Sequence, residues 1–312
     1  MTNKSHTVSD LTLEEVRKRL KSQDGLALRT GPFSVNIRSK IPSVADNLFT
    51  MYQASHLPDE NSFIDFHVAL KTPNLTRKLI KPQVQFYFDG IPPFKPLPYV
   101  QAYPMLEWGL NLCISSNAHQ FLIIHAAVVE KNDTALILPG PSGSGKSTLC
   151  ATLINSGWRL LSDELTLISR TSGLVQPLVR PVSLKNQSIN IIQERFPEAL
   201  LTPVTKDTAK GTIAHMRPLA GSVQRSDTPA KARLIIFPQY IANSPTDVSE
   251  LSRAMTFMRL IDNSFNYSLL GEEGFRLMSS ALSPCRCFEF RYSNLDDALN
   301  VIDNLAGQYG NG

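Results

Sequence analysis

Four apolar residues, Ala135 to Leu138, run directly into Gly140-Pro-Ser-Gly-Ser-Gly145-Lys146-Ser147, and few backbone arrangements accommodate both. A strand that empties into a glycine-rich turn and then a helix is the context that gives the Gly-x4-Gly-Lys-Ser pattern its meaning. Beyond the turn, Leu149, Cys150, Leu153 and Ile154 recur at helical spacing, and Gly157 supplies a stop. Gly143 and Gly145 let the backbone curl so that successive N–H groups point inward, and the helix N-terminus adds partial positive charge. The chemistry is an anion cradle. Lys146 is placed to reach β and γ phosphates, and the Ser147 hydroxyl to ligate Mg²⁺. Gly140, Ser142, Ser144 and Thr148 complete the expected ATP contacts.

After Gly157, the run from Trp158 to Leu161 reads as a second strand that delivers Ser162, Asp163 and Glu164 at its C-terminal end. If a parallel crossover joins it to the first strand, that end lies beside the phosphate loop. Two carboxylates then face the nucleotide. Phosphoryl transfer uses one acid near the metal and can use another to take the proton of an attacking hydroxyl.

Around this centre the chain has 312 residues, room for about two domains of roughly 150 residues each. A helix with a Thr12/Glu15 capping box opens the sequence and presents Leu13, Val16 and Leu20; residues 1 to about 30 otherwise read as loop. Phe33 to Ile37, Phe63 to Leu70 and Gln83 to Tyr87 read as strands of a small N-terminal α+β domain, residues 1–100. Five prolines between Pro92 and Pro104 predict an extended connector. From Met105 the pattern is helical, and from Phe121 strands and helices alternate through an α/β domain, residues 101–312. Gly221 to Ala230 reads as a mobile surface loop, and Leu234 to Phe237 as a strand stopped by Pro238. A strand from Cys285 to Tyr292 precedes a helix capped by Asn294 that presents Leu295, Leu299, Ile302 and Leu305.

Charge and hydropathy narrow the partners. The formal net charge is +4, from 31 basic and 27 acidic residues without a basic run, so nothing calls for nucleic acid. The longest apolar stretch, Phe121 to Val129, is interrupted by His125 and falls far short of the ~20 residues that span a bilayer. With no apolar signal core at the N-terminus, the expected location is the cytoplasm. Four irregularly spaced cysteines read as reduced, buried thiols.

Three segments together carry a family resemblance: His125-Ala-Ala-Val-Val-Glu130, the loop Gly140 to Ser147, and Arg159-Leu-Leu-Ser-Asp163-Glu164. They resemble the core of HPr kinase/phosphorylase, and more closely the HprK-related kinase A group. Arg180-Pro-Val-Ser-Leu-Lys185, Lys210-Gly-Thr-Ile-Ala-His-Met-Arg217-Pro and the segment from Phe265 to Gly274 are similar to that group too, so the likeness spans roughly residues 120 to 305. The N-terminal hundred residues do not share it. The resemblance implies a P-loop core like that of HPr kinase and phosphoenolpyruvate carboxykinase, with a mixed sheet. It also implies Asp163 as base toward a serine-type hydroxyl, the second acid at the metal, and His125 near the catalytic centre. That second acid is Glu164 here, where HPr kinases usually carry Asp. Lys185, Lys210 and Arg217 are the candidates for completing the γ-phosphate site. HPr kinases are oligomers, which makes a homo-oligomer the corresponding expectation.

The resulting expectation is an ATP- and Mg²⁺-dependent kinase acting on a hydroxyl of a protein, peptide or small metabolite. The alternative is a regulatory protein that binds nucleotide without transferring phosphate. A carboxykinase-like enzyme would call for a carboxylate-binding Arg and metal-ligating His and Lys that the sequence does not identify.

Overall fold

The computed structural model describes residues 6–59, 61–74, 77 and 80–309. Its first sheet has the order β1-β2-β3-β4-β5, formed by Leu26–Thr30, Phe33–Ser39, Phe66–Lys71, Gln83–Phe88 and Leu97–Pro98. Leu26 to Thr30 is therefore a strand rather than loop: Gly31, at φ 55°, turns the chain so that β1 pairs antiparallel with β2. The opening helix α1, Leu13–Lys21, has the capping box, with Glu15 N–H on Thr12 Oγ1 at 3.2 Å and Thr12 N–H on Glu15 Oε2 at 2.7 Å. A second helix, α2 at Pro42–Met51, was not legible from the pattern.

The proline-rich stretch is less extended than its composition suggests. It contains β5 and the start of α3, Ala102–Asn117. Pro104 is accommodated because it falls in the first turn, where N–H groups have no intrahelical partner.

A second, eight-stranded mixed sheet has the order β10-β9-β6-β7-β14-β16-β15, with β8 also paired to β6. These strands are β6 Phe121–Lys131, β7 Thr134–Pro139, β8 Arg159–Ser162, β9 Leu165–Ser169, β10 Val175–Gln176, β14 Lys231–Tyr240, β15 Asp247–Glu250 and β16 Arg286–Tyr292. The side chains of β6 alternate with the pleat. Leu122, Ile124, Ala126 and Val128 enter one core, shared with Leu260, Met278 and Leu282 of the helices α7 (Arg253–Asp262) and α9 (Glu272–Leu282). On the other face, Ala127 and Val129 join the core under α4 (Lys146–Asn155) and α10 (Leu295–Tyr309), while Ile123 packs with the N-terminal sheet. Two further short helices on the way are α6 (Ala220–Gln224) and α8 (Tyr267–Leu270). A three-stranded sheet of β11 (Val182–Lys185), β13 (Gly211–Met216) and β12 (Thr205–Thr208), with α5 (Gln187–Arg195), completes the described residues.

Two local expectations are corrected. β14 continues through Pro238, because its partner β7 is left behind at the Ile235–Ile137 pair; past that point only β16 flanks it, and an edge tolerates a missing N–H. Residues 221–230 are not a free loop. Ser222 Oγ accepts from Leu160 N–H at 3.0 Å, and the Arg159 guanidinium donates to the carbonyls of Arg225 and Thr228. Arg159 itself is held by Glu130 at 2.7 Å, and both are buried. All four cysteines are free and buried, and no helix among the described residues is long and apolar enough to cross a membrane.

Candidate active site

The site is organised by β6. Strand β7 runs antiparallel along one edge of it, and β8 and β9 run antiparallel along the other, so β8 is parallel to β7 and both end on the same side. Pairing of the second chain segment holds at Val128–Ser162 and resumes at His125–Leu165. Between them Asp163 and Glu164 leave the ladder opposite Ala126 and Ala127. A one-residue bulge at Leu161 immediately precedes the gap, and bulges of this kind re-aim side chains. On the other edge Ala126 pairs with Pro139, where the phosphate loop begins. Two residues of β6 thus separate the loop from both acids.

The loop has the backbone that its glycines permit: Gly140, Gly143 and Gly145 have φ of 146°, 90° and 94°. Gly145 is also constrained by space, since a Cβ there would stand 2.5 Å from Tyr292 Oη. The ends of two strands fasten the loop: Tyr240 of β14 donates its N–H to the Ser144 carbonyl at 3.1 Å, and Tyr292 of β16 its Oη to that of Gly145 at 3.3 Å. Leu149, Cys150, Leu153 and Ile154 of α4 are buried as their spacing predicts. The Lys146 ammonium folds back onto the carbonyls of Gly140 and Pro141. Burial lowers its pKa, an effect that Glu164 and Asp163 oppose.

Asp163 is buried, and its Oδ2 accepts from Ser147 Oγ at 3.3 Å and from Ser183 N–H at 3.0 Å. Its pKa is pushed up to about 7, first by burial and then by the neighbouring Glu164. Glu164 faces other partners: Oε2 lies 3.6 Å from His125 Nδ1, and Oε1 4.0 Å from Lys185 Nζ. His125 Nδ1 also lies 3.2 Å from the Glu164 carbonyl, and burial, then Lys146, lower its pKa.

A cavity of about 600 Å³ opens over these groups, within the roughly 300–1,000 Å³ typical of ligand pockets. His125, Lys146, Ser147, Thr148, Asp163, Glu164, Lys185 and Lys210 all line it. Thr148 Oγ1 donates to Ser188 Oγ at 2.8 Å, joining the loop helix to α5, and Lys210 Nζ sits 5.4 Å over the Trp108 ring. Arg217 is elsewhere, with Nη1 donating to Gln53 Oε1 of the N-terminal region at 2.7 Å. The same cavity is lined by Tyr240, Tyr292, Asn294, Asp296 and Arg195, none of which the sequence singled out as site residues. Tyr240 ends β14 and Tyr292 ends β16. Both strands run parallel to β7 directly or through one neighbour, and ligands gather at the carboxyl ends of such strands, so strand order would have been the signal.

The donor set suits Mg²⁺ bound together with phosphate. No group of three or more His, Cys, Asp or Glu residues gathers among the described residues as a resident metal cage would require. One hydroxyl, one or two carboxylates and the phosphate oxygens of a nucleotide make the kind of shell Mg²⁺ accepts.

A family model described as SynChlorMet cassette protein ScmC matches residues 103–178, from α3 through the phosphate loop and both acids to β10. Among solved structures, the Hpr(Ser) kinase/phosphatase from Coxiella burnetii is similar at 11% identity and a TM-score of 0.26, over 60% of this chain and 94% of that one. No curated protein matches the chain.

Proposed function

We propose that this chain is an ATP- and Mg²⁺-dependent kinase that transfers a phosphoryl group to a hydroxyl of a protein, peptide or small metabolite. The observation that carries the reading is the pair of acids at the gap in the β8–β9 ladder, one on Ser147 and the other on His125, over one cavity with Lys146. A loop that only sensed nucleotide would have no use for a second carboxylate aimed away from the metal side. Bound ATP supplies the transferable phosphoryl group and Mg²⁺ the charge neutralisation. The protein's part is to position and to move one proton.

The Ser147–Asp163 hydrogen bond favours a division of roles opposite to the one the resemblance implies. A carboxylate bonded to the metal-ligating hydroxyl belongs on the Mg²⁺ side. Glu164, beside His125 and Lys185, is then the acid with access to an acceptor hydroxyl. Lys185, 4.0 Å from Glu164, and Lys210 contribute positive charge to the same cavity.

Incubation of the intact protein with γ-labelled ATP, Mg²⁺ and a cell extract tests the reading. Transfer of label that is lost in Glu164→Gln supports it. Tight nucleotide binding with no transfer to any acceptor would leave the regulatory alternative standing.

A further inference from the structure

Beside Asp163, where a small cavity shares Asp163, Glu164 and Ser183 with the larger one, four buried polar groups have no hydrogen-bond partner among the described residues. They are Asp163 Oδ1, Ser183 Oγ, Arg180 Nε and both ring nitrogens of His215. Their residues line one small cavity of about 20 Å³, together with Glu107 and Asn111. The fold explains why they meet. Ser183 and His215 are directly paired across β11 and β13, so their side chains leave the sheet on the same face. The Ser183 N–H holds Asp163 Oδ2 at 3.0 Å, which brings the Asp163 carboxyl to the same cavity and leaves Oδ1 unpartnered. Arg180 is fixed from behind by Glu107 Oε2 at 2.6 Å and Asn111 Oδ1 at 2.7 Å.

Unpartnered polar groups in a protein interior cost roughly 1–3 kcal/mol each, and native folds rarely leave several together. The chemistry of these groups is complementary around a centre. The Asp163 carboxyl accepts when ionised and can donate when protonated, Arg180 Nε donates only, the Ser183 hydroxyl can do both, and neutral imidazole offers one donor and one acceptor. His215 is neutral here, since burial lowers its pKa to about 4. One water has two donors and two lone pairs, and a polar cavity above roughly 10–15 Å³ with 2–4 partners can hold it.

We propose that this cavity is a binding site for one internal water that bridges Asp163 Oδ1 to His215, making His215 and Ser183 positioning residues for the acid beside the phosphate loop. The water clamps one carboxylate oxygen from behind, so that the other stays on Ser147. The positioning role rests on the kinase reading; the water site does not.

A crystal structure of the full chain that shows ordered water is the direct test. The expected result is one water within hydrogen-bond distance of Asp163 Oδ1 and a His215 ring nitrogen. A direct Asp163–His215 bond, a bound cation or a dry cavity would overturn the proposal. In solution, ¹⁵N NMR should show His215 as one neutral tautomer whose signals move in Ser183→Ala; signals that stay in place count against the bridge. For the positioning role, His215→Leu should lower kcat roughly tenfold to a hundredfold with KM for ATP unchanged, and His215→Gln, which keeps a donor and an acceptor, should restore most of it. Equal losses in both variants would overturn that role. The crystallographic and NMR readings do not depend on turnover, so a chain without transferase activity refutes the proposed function and still leaves those readings to decide the water.

Discussion

Ser147 Oγ donates to Asp163 Oδ2 at 3.3 Å, while the adjacent Glu164 turns its carboxylate to His125 at 3.6 Å. Two successive acids on one chain segment thereby face different partners, and substitutions at them should separate. Asp163→Asn should weaken Mg²⁺-dependent ATP binding, with recovery at excess metal. Glu164→Gln should lower turnover by roughly 10²- to 10⁴-fold and leave ATP affinity nearly unchanged. Calorimetry with and without Mg²⁺, alongside single-turnover transfer, measures both. The opposite outcome, with affinity lost in Glu164→Gln and turnover alone lost in Asp163→Asn, would restore the division implied by the family resemblance.

Lys146→Ala should abolish most ATP affinity while leaving the fold intact. Its ammonium bonds to the Gly140 and Pro141 carbonyls, which water can serve once the side chain is gone. The expected change in thermal midpoint is small, because the core under α4 is made by Leu149, Cys150, Leu153 and Ile154. Retained ATP binding by calorimetry would refute the phosphate cradle.

The N-terminal region is tied to the floor of the site by a buried network. Tyr52 Oη donates to Glu107 Oε1 at 2.9 Å, and Glu107 holds Arg180. Arg180→Met should destabilise the protein by about 3–5 kcal/mol, because it strands a buried carboxylate. Arg180→Met combined with Glu107→Leu should recover much of that loss in urea unfolding. A single-variant cost below about 1 kcal/mol would mean that water already reaches Glu107.

His215 gives stability a pH dependence whose sign can be worked out. Its pKa is about 4 in the fold against an ordinary 6.5, lowered first by burial and then by Arg180 and Lys185, against the opposing pull of Glu107 and Glu164. The unfolded chain therefore takes up a proton near 6.5 and the folded one only near 4. The stability His215 contributes is present in full above the first value and is lost as the pH falls toward the second. Comparing the intact protein with His215→Gln in urea, at about pH 7.5 and about pH 5, cancels the titration of all other groups to first order. The advantage of the intact protein should shrink at the lower pH. An advantage that holds constant would show that His215 titrates alike in the folded and the unfolded chain.

Local chemistry made much of this protein legible from its sequence. The glycines of the loop, the buried stripe of α4, the Thr12/Glu15 box and the Asn294 cap, whose Oδ1 accepts from Asp296 and Asp297 N–H, all depend on contacts within a few residues. Elements whose partners lie far away in the chain were misread or missed. Arg159 pins the apparent loop at 221–230 through the carbonyls of Arg225 and Thr228, from more than sixty residues away. Pro238 sits inside a strand because strand order leaves it an open edge, and Arg217 turns to Gln53 rather than to the cavity. The sequence by itself determined that a strand empties into a glycine-rich loop and a helix and that two adjacent acids follow. Only the tertiary structure decided which acid meets Ser147, because that depends on where pairing with β6 lapses, and the lapse is set by strands contributed from both edges of the sheet.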